Sequence, residues 1–91
     1  MVSELPPDRF GSAIADYHAK LLAFVRRKVG DHDLAYDLTA DAEEHALRAG
    51  MPVGITQAGF EAWLLRIARN RVIDYWRERK RRPLQLSLDT S

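Results

Sequence analysis

Apolar side chains return at helical intervals in the first third of the chain. From Phe10, the apolar residues Ile14, Tyr17, Leu21 and Phe24 follow at steps of four, three, four and three. This spacing puts them on one face of an α-helix, whereas a half-buried strand would need strict alternation. The pattern predicts an all-α fold, a compact bundle of three to four helices.

Signals at both ends bound this first helix. Asp8 comes after two prolines and is expected to cap the helix with its carboxylate. Three cations at residues 26–28 occupy the last turn, where the helix dipole favours positive charge, and Gly30 comes next as a stop signal. One continuous helix is therefore predicted between them.

A second, acidic helix is predicted to run to Arg48. Asp31 is expected to cap it, and Gly50 and Pro52 lie beyond it as stop signals. Its apolar stripe is thin and consists of Leu34, Leu38, Ala42 and Leu47. Such a face buries little area, so this helix depends on its neighbours.

A loop rich in glycine separates this helix from the last one. Residues 49–59 contain three glycines and one proline, and Thr56 is a candidate cap for the next helix. The last helix is predicted over about 60–81, and Pro83 stops it. Its apolar stripe rotates beyond residue 70, which is compatible with two helical pieces bent near Asn70 or with one long helix touching two neighbours.

Length and composition favour one small domain. We expect a tail at residues 1–8, a helical domain at 9–83, and at 84–91 the start of a linker to a missing C-terminal domain. The 91 residues contain no cysteine, which excludes disulfide scaffolds and thiolate zinc sites. No apolar run of about 18 residues occurs and residues 1–8 do not resemble a secretory signal, so no membrane insertion and a cytoplasmic location are expected.

The charges are unevenly distributed although the net charge is only +1. Residues 31–50 carry six acidic side chains against Arg48 alone, whereas residues 60–83 carry eight basic and three acidic ones. In the last helix, four cations share broadly one face: Arg66, Arg69, Arg77 and Lys80. Cations along one helix face suit a phosphate backbone, although solvated helix faces give the same pattern.

Aromatic and amide side chains interleave with these cations. Trp63, Tyr75 and Trp76 could stack on unpaired bases, and Asn70 could offer a donor and an acceptor to a base edge. Trp63 also lies on the apolar side of the helix, and a place in the core is the stronger explanation for it.

Two motifs resemble the extracytoplasmic-function group of bacterial RNA polymerase sigma factors. The segment 60–75 reads F-x-A-W-L-x-R-I-A-x-N, then x-x-I-D-Y, and an arginine run comes after it. Upstream, residues 30–38 are similar to the G-D-x-x-x-A-x-D-L element of that family. The resemblance covers about residues 10–83 and implies the fold of sigma region 2, a non-enzymatic domain.

The resemblance also implies two partners and a mechanism. The acidic helix would dock on the clamp helices of the RNA polymerase β′ subunit, and the last helix with the loop before it would recognise and open the promoter −10 element on the non-template strand. The implied polymerase-binding residues are Leu34, Asp37, Leu38 and Asp41. The implied DNA-binding residues are Trp63, Arg66, Arg69, Asn70, Arg71, Ile73, Asp74, Arg77 and Lys80. The loop would form a pocket for a flipped-out base, and an anti-sigma factor would be a controlling partner.

The chain departs from the family at the second helix. Family members usually read D-L-x-Q-E-x-F there, but Ala40 replaces the glutamine and Glu43 replaces the large apolar residue. Polymerase docking is therefore expected to be weaker or differently arranged. The loop also has no arginine or aromatic residue before Phe60, so the sequence reveals no base preference for it.

Two rival functions fit the residues less well. A sigma-like decoy that binds an anti-sigma protein would need no phosphate contacts, and the basic face argues against it. A metal-dependent hydrolase would use His18, His32 and His45, but these lack metal-ligand spacing. No cofactor, metal or catalytic residue is expected.

Overall fold

The computed structural model describes residues 6–81, which confirm the all-α prediction. A 3₁₀ turn at Pro7–Arg9 leads into α1 (Phe10–Asp16), α2 (His18–Val29), α3 (His32–Ala49) and α4 (Gln57–Arg81). Helices α2, α3 and α4 pack on one another in all three pairings. Residues 1–5 of the expected tail, the stop at Pro83 and the expected linker 84–91 lie outside the described residues.

The prediction of one continuous first helix is wrong, because the helix breaks at Tyr17. This residue has φ −94° and ψ 1°, and its N–H donates to the carbonyl of Ile14 at 3.1 Å, a three-residue step. The rings of Phe10, on α1, and Tyr17, at the break, both lie near the ring of Phe60, with centroids 6.1 and 5.8 Å away. Both side chains therefore pack against the core, as the apolar spacing predicted, although the helix is broken.

The predicted cap at Asp8 is also wrong. Asp8 lies inside the 3₁₀ turn, where the Arg9 N–H donates to the carbonyl of Pro6 at 3.0 Å. This turn moves the N-cap of α1 to Arg9, whose side chain makes no capping hydrogen bond.

The predicted boundaries of α3 agree closely with the structure. The Asp31 carboxylate accepts a hydrogen bond from the Leu34 N–H at 3.0 Å, and Gly50 ends the helix with φ 79°. The buried stripe is shifted from the predicted one, and Leu47 is exposed. The small side chains of the stripe let α3 approach α2 and α4 closely; they are Ala35, Thr39, Ala42 and Ala46.

Helix α4 is one uninterrupted helix that touches two neighbours, which decides between the two alternatives. The Thr56 hydroxyl accepts from the Gly59 N–H at 3.1 Å, so the predicted cap is present and the helix begins at Gln57, earlier than expected. Phe60 is the largest fully buried side chain of the core among the described residues. The other large buried side chains around it are Ile14, Leu21, Val25, Leu64, Ile67 and Val72.

Candidate nucleic-acid interface

The outward side of α4 gathers most of the residues predicted to bind DNA. With about 100° of rotation per residue, these side chains fall within about 100° of arc. They are Arg66, Arg69, Asn70, Ile73, Arg77 and Lys80, here called the outer face. All are exposed except Ile73, which is partly buried.

The cations of the outer face have no anionic partner among the described residues. Arg66, Arg69, Arg77 and Lys80 form no hydrogen bond or ion pair there, and neither does the Asn70 amide. Other cations of the same helix are engaged, since Arg79 donates to the Tyr75 hydroxyl at 3.2 Å and Arg81 pairs with Glu78 at 2.7 Å. The outer face therefore keeps its positive charge available to an external anion.

Arg71 is not part of this face. It lies on the side of α4 that meets α3, where it pairs with Asp74 at 2.7 Å and approaches Asp41 of α3 at 3.9 Å. Its Nε is buried and has no acceptor among residues 6–81. Arg71 therefore connects α4 to α3. The contact joins Arg71, which was predicted to bind DNA, to Asp41, which was predicted to bind polymerase.

Trp63 lies at the edge of the core rather than on the outer face. Its ring is 5.8 Å from that of Phe60 and 6.0 Å from that of Phe10, and it is only partly exposed. Asp74 is exposed and accepts the Arg71 hydrogen bond. The structure thus places the predicted DNA-binding residues in two groups, an unpaired outer face and a set that contacts other residues of the domain, namely Trp63, Arg71 and Asp74.

The loop before α4 is apolar at its base and open at its tip. Met51 and Ile55 pack against the core, whereas Val53 is fully exposed and Gly54 has φ 71°. A positive φ is readily adopted by glycine and seldom by other residues, which fits a tight turn at this point.

Helix α3 presents an acidic ridge on the side opposite its buried stripe. Within about 80° of arc, it carries the exposed residues Asp33, Asp37, Asp41 and Glu44. The half-buried Leu34 and Leu38 lie beside the ridge. All four residues predicted to bind polymerase therefore lie on or next to one surface.

A partly buried contact between α2 and α3 could not be predicted from the sequence. His18 Nδ1 lies 2.8 Å from Glu43 Oε2, although 25 residues separate them in the chain, and the His18 ring meets Tyr36 edge-on. The three histidines do not converge, and no group of three metal-ligating side chains occurs among residues 6–81.

A family comparison identifies the class of this helical domain. The family model described as Sigma-70 region 2 matches residues 13–82, which include all of α2, α3 and α4. The chain belongs to the sigma-70 region 2 family. A sigma-70 region 2 domain is a non-enzymatic part of a transcription initiation factor, and it acts in promoter recognition and in binding RNA polymerase.

Membership gives the domain two classes of partner. The partners of a sigma-70 region 2 domain are the RNA polymerase core and promoter DNA. Neither a curated protein nor a solved structure matches this chain. No helix within residues 6–81 is long and apolar enough to cross a membrane.

Proposed function

We propose that this sigma-70 region 2 domain comes from a sigma factor of the extracytoplasmic-function group and that it uses two separate surfaces. The outer face of α4 binds the non-template strand of the promoter −10 element and holds it open. The acidic ridge of α3 docks on the clamp helices of the polymerase β′ subunit. The observation that carries the proposal is the set of unpaired cations around Asn70 on α4.

Strand capture depends on the chemistry of the outer face. Each cation that meets a phosphate releases counterions, and this gain does not depend on sequence. Asn70 lies among the cations and is free to pair with a base edge, which supplies the sequence preference. Unpairing a base costs a few kcal/mol, and binding of the released strand offsets that cost.

We propose that the loop at residues 50–56 binds a base that is flipped out of the −10 strand. It joins the end of α3 to the start of α4, and the exposed Val53 can contact an extruded base without losing core packing. Because this loop has no charged side chain, it would recognise the base through its shape and through apolar contacts, and not through a charged group.

Polymerase docking relies on the ridge and not on Glu43. The Glu43 side chain is 19% exposed and faces His18, so it is held within the domain. Ala40 is exposed but offers no polar group in place of the usual glutamine. Asp37 remains as an unpaired carboxylate on the ridge, and Leu34 and Leu38 provide apolar contact beside it.

Three further parts of the proposal concern the setting of the domain. They are a controlling anti-sigma factor, a cytoplasmic location, and a further DNA-reading domain after residue 91. Each is implied by the resemblance of the two motifs to the extracytoplasmic-function group.

The test separates the two surfaces with two variants. Preferred −10 single strands are first selected from a randomised pool with the wild-type chain, and binding to these strands and to core polymerase is then measured. Asn70→Ala should lose its preference for the selected over a scrambled strand and should keep polymerase affinity. Asp37→Arg should lose polymerase affinity and should keep its preference for the selected strand. The matched control is Asp16→Arg, which changes an exposed aspartate at the end of α1.

Two results would contradict the proposal. If the wild type fails to bind any single strand at low salt, the decoy that binds only proteins is favoured. If Asp37→Arg binds polymerase as well as Asp16→Arg does, the ridge is not the docking surface.

A further inference from the structure

A groove of about 370 Å³ runs between α2 and α4 beside the outer face. Phe24 of α2 and Val72 and Ile73 of α4 give it an apolar floor, and each helix adds one cation, Lys28 from α2 and Arg69 from α4. Its volume lies at the lower end of the range of about 300–1,000 Å³ that is typical of sites for small ligands. The lining therefore suits a small, flat group with an apolar face and negative charge beside it.

The charge around the groove is not neutralised by the domain. The Lys28 ammonium lies 5.5 Å from the centroid of the Phe24 ring, and neither Lys28 nor Arg69 has an anionic partner among the described residues. Arg26 and Arg27 are exposed just before Lys28 and are also unpaired there. An anionic ligand is thus favoured over a neutral or cationic one.

The groove is continuous with the outer face. Arg69 and Ile73 belong to both, and Trp76, which is 44% exposed, lies one turn beyond Ile73 on α4. A strand bound along the outer face would therefore pass beside the groove.

We propose that the groove receives one unpaired base of the captured DNA strand, in addition to any base held by the loop at residues 50–56. The base lies against Phe24 and Ile73, and the phosphates on either side of it meet Lys28 and Arg69. Aromatic side chains that stack on bases beside backbone-binding cations are a general means of holding single strands. This inference rests on the proposed function, since it extends the DNA-binding surface from α4 to α2.

The test combines residue changes with removal of single bases. A selected strand is prepared in versions that each lack one base, and each version is titrated against the wild type and Phe24→Leu. One position should exist at which base removal weakens wild-type binding about 5-fold or more and has little effect on Phe24→Leu. Such non-additivity is the sign of direct contact.

Lys28→Ala removes the cation that α2 contributes to the groove and keeps the apolar residues Phe24, Val72 and Ile73 in place. Its side chain is exposed, so the fold should be unaffected, and the slope of log affinity against log salt should become shallower by about 0.7. Arg48→Ala, an exposed arginine on α3, is the matched control and should leave the slope unchanged. Circular dichroism melts establish that each variant is folded.

The outcomes separate this inference from the proposed function. If Arg77→Ala weakens binding but Lys28→Ala keeps the wild-type slope, the groove is not used and the outer face still is. If the wild type does not bind single strands at all, the proposed function itself fails.

Discussion

The salt dependence of strand binding is the sharpest test of the outer face. Its four unpaired cations are Arg66, Arg69, Arg77 and Lys80. Each phosphate neutralised on a single strand contributes about −0.7 to the slope of log affinity against log salt. Four contacts therefore give a slope of about −2.8, and a fifth contact, made by Lys28 at the groove, brings it to about −3.5. A slope of about −2.8 corresponds to a loss of affinity of about 50-fold between about 50 and 200 mM salt.

Removal of one cation should change this slope by a fixed step. For Arg77→Ala we expect a slope shallower by about 0.7, together with weaker binding to all sequences, because a phosphate contact carries no base information. Fluorescence anisotropy of a labelled single strand over a series of salt concentrations measures the slope.

Arg79→Ala provides the matched control. Arg79 lies two residues away on the opposite side of α4, where it donates to the Tyr75 hydroxyl. Its removal takes the same charge from the same helix and should leave the slope unchanged. The assignment of the outer face would be refuted if Arg77→Ala had the same slope as the wild type. It would also be refuted if Arg79→Ala made the slope shallower by as much as Arg77→Ala does.

Three further predictions concern stability and are measured by thermal melts. Asp31→Ala removes the acceptor for the Leu34 N–H and should cost about 1 kcal/mol; an unchanged melting temperature would show that the cap is dispensable. Ala46→Leu should lower the free energy of unfolding by about 1–3 kcal/mol because the larger side chain overpacks a buried position. Ala40→Leu, on the exposed side of α3, should change it little. Equal effects of the two changes would contradict the close contact between the helices. Phe60→Ala should cost about 3–5 kcal/mol, comparable to the whole stability of so small a domain, and a cooperative melt near the wild-type temperature would place the centre of the core elsewhere.

Several features of the site could be predicted from the sequence because they depend on local spacing. The outer face requires only the helical repeat, since residues three, four and seven positions apart share a side of any straight helix. The cap at Asp31 and the stop at Gly50 are likewise local, because they need only the residues of one turn. The acidic ridge of α3 was predictable for the same reason.

Contacts between helices account for the features that local spacing missed. The contact of His18 with Glu43 joins α2 to α3 although 25 residues separate the two in the chain. Arg71 shares the helix of the outer face, yet its position towards α3 turns it to Asp41, a contact that only the packing of two helices creates.

The all-α class, the sign of the charge on the second and last helices and the family of the domain were encoded in neighbouring residues, and so could be inferred before any fold was known. Which cations pair with a residue of another helix became clear only once the helices were packed, as did the groove that brings Lys28 of α2 near Arg69 of α4. Grooves, and ion pairs such as that of Lys20 with Glu61, depend on distances between helices, and those distances are set by how the small side chains of α3 and the ring of Phe60 pack.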